Sequence, residues 1–244
     1  MGPDIKDQGS FYALRPGSWR SYLNLLHLPY TLWNVSYVAI GWSLAPEAHW
    51  SRLGLACLGF FLAVGISAHA LDELKGRPLK SGIPAPVLVF LAMASLAGAA
   101  ALGVYGVMVT TPWLLAFIAT GGFFVVSYNL ELAGGKFHNI FWFSLAWGAF
   151  PTLTGYFVNA ESLDLAAATA AGAAFALSAA QRMLSTPSRY LRRRVVAVRG
   201  AVEEGRGVQA RLTKEGMLRP VERALMGLSV FVTLLAGALL LAKA

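Results

Sequence analysis

Apolar residues run in long uninterrupted blocks along this chain, and the ionisable residues stand between them. No Asp, Glu, Lys or Arg occurs in residues 21–46, 53–71, 81–130, 137–160, 165–181 or 224–242. A helix that crosses a bilayer needs roughly 20 apolar residues, so five of these blocks are expected to hold one helix each. Residues 81–130 are long enough for two. The stretch YGVMVTTPW at residues 105–113 supplies a turn between them, with Pro112 placed to start the second helix. The expectation is an all-α, multi-pass membrane bundle of about seven spans, forming one domain over residues 1–244. An outer-membrane barrel would show short segments of alternating polarity, and these blocks do not alternate. Stretches such as ASLAGAAALG and LAAATAAGAAFALSAA are rich in the small residues that form packing seams between helices in lipid.

Composition agrees with the pattern. The 244 residues are 57% hydrophobic and only 13% charged, and the mean hydropathy is +0.58, which excludes an ordinary soluble domain. Residues 1–20 are polar and carry no apolar core of the signal-peptide kind. Cys57 is the lone cysteine, so an intrachain disulfide and a cysteine-based metal site are excluded.

Charge orients the bundle. Placing the N-terminus and the loops after spans two, four and six on one side gathers 18 of the 20 basic residues there, leaving Arg52 and Lys243 opposite. Basic residues accumulate on the cytoplasmic side, so the N-terminus is expected in the cytoplasm and the C-terminus outside. The net charge of +8 does not point to nucleic acid, because it is concentrated in one segment beside the membrane, residues 182–223. Leu191, Val195, Val198 and Val202 recur there at helical spacing, with Arg192, Arg193 and Arg199 elsewhere around the axis. This predicts an interfacial helix in a basic cytoplasmic loop that attracts anionic lipid headgroups.

The chemistry concentrates in SAHALDELKGRPLKSGIP, at the cytoplasmic end of the second block. His69, Asp72 and Glu73 are spaced i, i+3 and i+4, which puts them near one face of a continuing helix. Ionisable groups at that depth are costly and face a cavity or a partner. Asp72 and Glu73 are candidate ligands of a divalent cation, since Mg²⁺ is held by one or two carboxylates together with phosphate oxygens. Arg77 and Lys80 are candidate phosphate contacts, Arg for its planar fork. The alternative is that the carboxylates pair with Lys75, Arg77 and Lys80 at the interface. Further polar candidates for the same cavity are Asn24, His27 and Asn34 in the first block, and Tyr128 and Asn129 at the end of the fourth span.

AHALDELKGRPLKSGIP resembles the first signature of the UbiA-type intramembrane prenyltransferases, an NDxxDxxxD motif followed by RPLxxG. Ala68–Asp72 falls on the NDxxD part and Arg77–Gly82 on the RPLxxG part. NLLHLPYTLWNVSYVAIGWSL resembles the first helix of that family, and SYNLELAGGKFHNIFWFSLAWGAFPTLTGYF the turn after its fourth helix and the fifth helix. The resemblance implies a transferase that moves an isoprenoid or similar lipid group from a lipid diphosphate to an acceptor, with Mg²⁺ on the carboxylates. His69, Asp72 and Glu73 would be catalytic. Ala68 and His69 replace the Asn and first Asp of the motif, and Gly76 stands where the third Asp would be. At the second Asp-rich signature the chain instead has SAAQRMLSTPSRYLRRR, which contains no carboxylate. Either Arg182, Arg189, Arg192 and Arg193 neutralise the phosphate there as fixed cations, Arg182 and Arg189 foremost, or the fold serves as a non-catalytic lipid-binding or partner-binding protein. A transporter is disfavoured, since no inverted repeat is visible.

Overall fold

The computed structural model describes residues 11–14, 18–203, 205, 207 and 209–244. Residues 1–10 and 15–17 of the expected N-terminal cytoplasmic segment lie outside these. Helix α1 (Ser18–Leu25) leads through His27 into α2 (Leu28–Leu44). Then follow α3 (Trp50–Gly76), α4 (Ala85–Val109) and α5 (Leu114–Asn129). Helix α6 covers residues 140–160, α7 is Leu165–Arg194 and α8 is Lys214–Lys243. Strands β1 (Gly200–Glu203) and β2 (Gln209–Leu212) form an antiparallel hairpin between α7 and α8. Helices α3, α4 and α8 are long and apolar enough to cross a membrane, and α5 is a shorter apolar helix.

Local chemistry sets the helix ends. Asn139, Asp164 and Thr213 cap α6, α7 and α8, each side-chain oxygen accepting from a backbone amide three residues on. The turn expected at residues 105–113 begins later, because α4 continues to Val109 and only residues 110–113 separate it from α5. Two helices widen locally into π-helix, at Phe61–Ala68 in α3 and at Leu145–Ala149 in α6. Pro151 has no N–H to give a regular helix, and the second widened segment ends just before it.

Helix α6 is the hub. A Cβ added at Gly155 would lie 2.0 Å from the Val38 carbonyl oxygen, and one at Gly41 would lie 1.9 Å from that of Thr152. Helices α2 and α6 therefore touch backbone to backbone. Gly148 does the same for α7, where a Cβ would come within 2.6 Å of the Ala174 carbonyl. The small-residue stretches singled out in the sequence take part in this packing: Ala174 belongs to the second, and in the first a Cβ at Gly103 would come within 2.7 Å of the Ile118 side chain, whereas nothing lies within 4 Å of one at Gly172. Helix α8 closes against α2, with Val232 packed on Trp33 and Tyr37 and the Ser229 hydroxyl donating to the Pro29 carbonyl at 3.0 Å. At the end of the bundle where α2 finishes and α3 starts, Asn159 accepts from the His49 amide at 3.0 Å and Arg52 pairs with Glu161 at 2.8 Å.

The basic segment departs from expectation. Residues 182–194 are not loop but the last turns of α7, and no interfacial helix spans Leu191–Val202. Val195 is extended, with φ −94° and ψ 119°, and the hairpin follows. Valines 195, 196 and 198 and Gly200 are poor helix formers in a segment with no apolar partner to compensate. At 1.5 Å per residue, the 30 residues of α7 extend roughly 45 Å, well past an apolar layer of about 30 Å.

Glu73 is also not where the spacing put it. It is fully buried, and its carboxylate accepts from the Leu79 amide (2.9 Å), the Ser81 amide (2.9 Å) and the Ser81 hydroxyl (2.8 Å). Consecutive helical residues diverge by about 100°, so with Asp72 facing the bundle interior Glu73 faces the loop. Arg77 turns that loop at φ 48° and donates to the Ile83 carbonyl at 2.5 Å. Both residues hold the α3–α4 connection in shape. Replacing Glu73 with Ala should leave two buried amides unpaired and cost about 2–4 kcal/mol. A lowered thermal midpoint in detergent, with new protease cleavage between residues 77 and 84, would report this loss, and an unchanged midpoint would contradict the structural role.

Candidate functional site

Six helices open onto one pocket at the end of the bundle opposite the Asn159 junction. Their alternating direction brings there the start of α2, the ends of α3 and α5, the start of α6, the end of α7 and the start of α8. Helix α7 supplies the most polar wall. Ser178, Gln181, Arg182, Ser185, Ser188, Arg189, Arg192 and Arg193 recur at three- and four-residue intervals and line one side of the pocket.

The charges in this pocket are unbalanced. Four arginines line it, against the carboxylates of Asp72 and Glu222. Glu222 is taken by Arg192, whose Nε and Nη2 lie 2.8 and 2.6 Å from Oε1, with the Ser188 hydroxyl adding a contact at 3.3 Å. This forked pair clasps α7 to α8. Arg182, Arg189 and Arg193 are left with Asp72, and none of the three makes an ion pair among the described residues. Arginines in a bundle this apolar need a counter-charge or a water-filled cavity. The site therefore has the character of an anion receptor.

The histidines form its inner wall. His27 turns the chain between α1 and α2 at φ 44°, and its Nδ1 meets the Tyr12 hydroxyl. Its ring lies 4.6 Å from that of His69. His69 Nδ1 is 3.2 Å from the Gly65 carbonyl. A carbonyl oxygen only accepts, so Nδ1 carries the proton and Nε2 of the neutral ring keeps a lone pair. Asn34 donates to the Tyr30 carbonyl, and its Oδ1 is buried without a partner among the described residues, as is the Tyr128 hydroxyl. Both residues line the pocket and are more than nine-tenths buried. Unpaired buried polar atoms are rare, and these two offer a ligand an acceptor and a hydroxyl.

Of the residues singled out in the sequence, His27, Asn34, His69, Asp72, Tyr128, Asn129, Arg182 and Arg189 come together here. Asn24, Glu73, Arg77 and Lys80 do not. Asn24 is committed to the backbone of Leu14, accepting from its amide and donating to its carbonyl. Lys80 sits in the α3–α4 loop at φ 50°, away from the pocket lining. Tyr30 and Trp147 were not among the expected site residues, whereas Arg193, seven plus four residues beyond Arg182 along α7, lines the pocket as the arginine pattern suggested.

The two-carboxylate clamp expected of Asp72 and Glu73 does not form, because Glu73 is spent on the loop, and no three His, Cys, Asp or Glu side chains converge among the described residues. Of the two expected carboxylate ligands only Asp72 lines the pocket, together with the arginines.

A second cavity is almost wholly apolar, walled by α3, α4, α5 and α6 through residues such as Leu55, Ala99, Gly103, Phe117 and Ile118, and it reaches Arg52 and Thr110 toward the Asn159 end of the bundle. Val64 and Trp147 line both cavities. Each belongs to one of the two π-helical segments, so the shared wall is built where α3 and α6 are locally widened. A polar, cationic chamber thus abuts an apolar one. The chain matches no protein-family model, no curated protein and no solved structure.

Proposed function

We propose that this chain is a multi-pass membrane protein of the UbiA-like type that grips a lipid by its (di)phosphate, in an arginine pocket, and transfers the isoprenoid or similar group to an acceptor. The observation that carries the proposal is the pairing of two cavities: three arginines without carboxylate partners among the described residues on one side of Val64 and Trp147, and an apolar chamber on the other. An amphiphile with a phosphate head and a hydrocarbon chain matches both. The motif resemblance around Asp72 supports the same assignment.

In this mechanism the bond between the lipid's first carbon and the phosphate oxygen breaks, and the electron pair leaves with the (di)phosphate. Arg182, Arg189 and Arg193 meet the developing charge, the largest single task in such a step. The acceptor bonds to the lipid carbon and gives its proton to His69 Nε2, the lone pair left by the Gly65 contact. Asp72 lines the same pocket. No step is routed through a metal, because Glu73, one of the two expected carboxylate ligands, is committed to the α3–α4 loop. A second reading, a non-catalytic lipid-binding protein, is favoured by one observation only: the carboxylate expected beside Asp72 is committed to a structural loop.

A polyprenyl diphosphate added to the detergent-purified protein should bind without divalent cations, and binding should weaken as salt rises. Arg182→Ala and Arg189→Ala should each weaken it about tenfold to a hundredfold, the range for one charge-assisted hydrogen bond. Binding abolished by chelation yet indifferent to both substitutions would refute the arginine receptor. Release of inorganic pyrophosphate that is lost in His69→Ala separates transferase from binder, and intact binding without any release would favour the second reading.

The proposed arrangement has seven spans, with the N-terminus in the cytoplasm. In a Cys57→Ser background, a membrane-impermeant thiol reagent applied from outside the cell should label a cysteine at Ser162 and not one at Gly205. The reverse pattern would invert the orientation.

A further inference from the structure

Arg182 differs from the other pocket arginines in having its guanidinium held from two sides. His138, in the turn before α6, places its Nδ1 3.1 Å from the Tyr128 carbonyl oxygen and its Nε2 3.3 Å from Arg182 Nη2. The carbonyl can only accept, so Nδ1 bears the proton and Nε2 of the neutral ring accepts from the arginine. The imidazole is further fixed by stacking on Tyr128, with ring centroids 4.4 Å apart and planes inclined by 28°. From the other direction, the Phe143 ring lies 5.1 Å from Arg182 Cζ, within cation–π range. A guanidinium has five N–H donors, and the His138 contact uses one of them. The others stay available in a fixed orientation.

We propose that His138 is a positioning residue: the Tyr128 carbonyl sets its tautomer, and its Nε2 in turn aims the Arg182 fork at the phosphate. This inference rests on the phosphate-binding function proposed for the pocket and adds to it an orientation-setting relay, Tyr128 carbonyl to His138 to Arg182. One aromatic ring, that of Phe143, and the His138 imidazole hold the cation without neutralising it. A carboxylate in the place of His138 would hold the same fork but cancel the charge that the pocket offers its ligand. The alternative is that His138 only adds a second donor to the Tyr128 carbonyl at the end of α5, which the Glu131 amide already reaches at 3.3 Å.

The two roles use different ring nitrogens, and amide side chains can reproduce them one at a time. Asn reaches the Nδ1 position and can serve the carbonyl, whereas Gln reaches the Nε2 position and can accept from Arg182. Affinity of the full-length protein in detergent for inorganic pyrophosphate, measured by titration calorimetry, should fall about tenfold in His138→Asn and His138→Phe. It should stay within about threefold of wild type in His138→Gln, since one acceptor is restored. In an Arg182→Ala background, all three substitutions should be without further effect. Thermal melts of each variant identify any that fails to fold, and the Asn and Gln variants decide the matter if Phe is not tolerated. Wild-type affinity in His138→Asn together with loss in His138→Gln would overturn the positioning role while leaving phosphate binding intact. Failure of the wild-type protein to bind pyrophosphate would overturn both.

Discussion

The structure depends on the backbone contact between α2 and α6. Gly41 and Gly155 each face the other helix's carbonyls at a distance that excludes even a methyl group. In lipid no hydrophobic force drives helices together, so such close van der Waals fits and the few interhelical hydrogen bonds carry association. Gly148 extends the arrangement to α7. Toward the other end of the bundle the large residues Trp33, Tyr128 and Trp147 line the pocket instead of closing it.

The same packing explains why a polar stripe can exist inside an apolar bundle. Along α7 the buried residues pass from Ala167, Ala171 and Ala174 to Ser178, Gln181, Ser185 and Ser188, so the helix changes from a packing surface to a chamber wall without changing face. Arg192 and Glu222 tie its far end to α8. The remaining arginines line the same pocket as Asp72. A cluster of that kind is costly unless a counter-charge or water enters it, and the adjoining apolar chamber matches the lipid proposed to bring the anion.

Much of this was legible in the sequence, for identifiable reasons. The charge-free blocks mark the long helices, because charges inside a lipid-facing stretch are expensive. The polar residues near the ends of those blocks, from His27 and Asn34 to Asp72 and Asn129, meet in space because alternate helix ends lie together. Other features were hidden. Arg182 ended an apolar block and so resembled the end of a helix, whereas α7 runs twelve residues further, and the three- and four-residue spacing from Ser178 to Arg193 was the signal that would have shown it. Glu73 shares its turn with Asp72 but not its direction, a difference of one residue's rotation. Nothing in 25 glycines singles out Gly41 and Gly155, since a close approach is a property of two distant segments and not of either one.

The central claim is that the arginine pocket and the apolar chamber together hold one phosphate-bearing lipid. The most direct measurement is the identity of the lipid that stays with the protein through purification in mild detergent, read by native mass spectrometry. The account predicts a polyprenyl phosphate or diphosphate at a single copy, retained by the wild-type chain and lost when Arg182 and Arg189 are both replaced by Ala. Retention of only bulk zwitterionic phospholipid, unchanged by the double substitution, would contradict it.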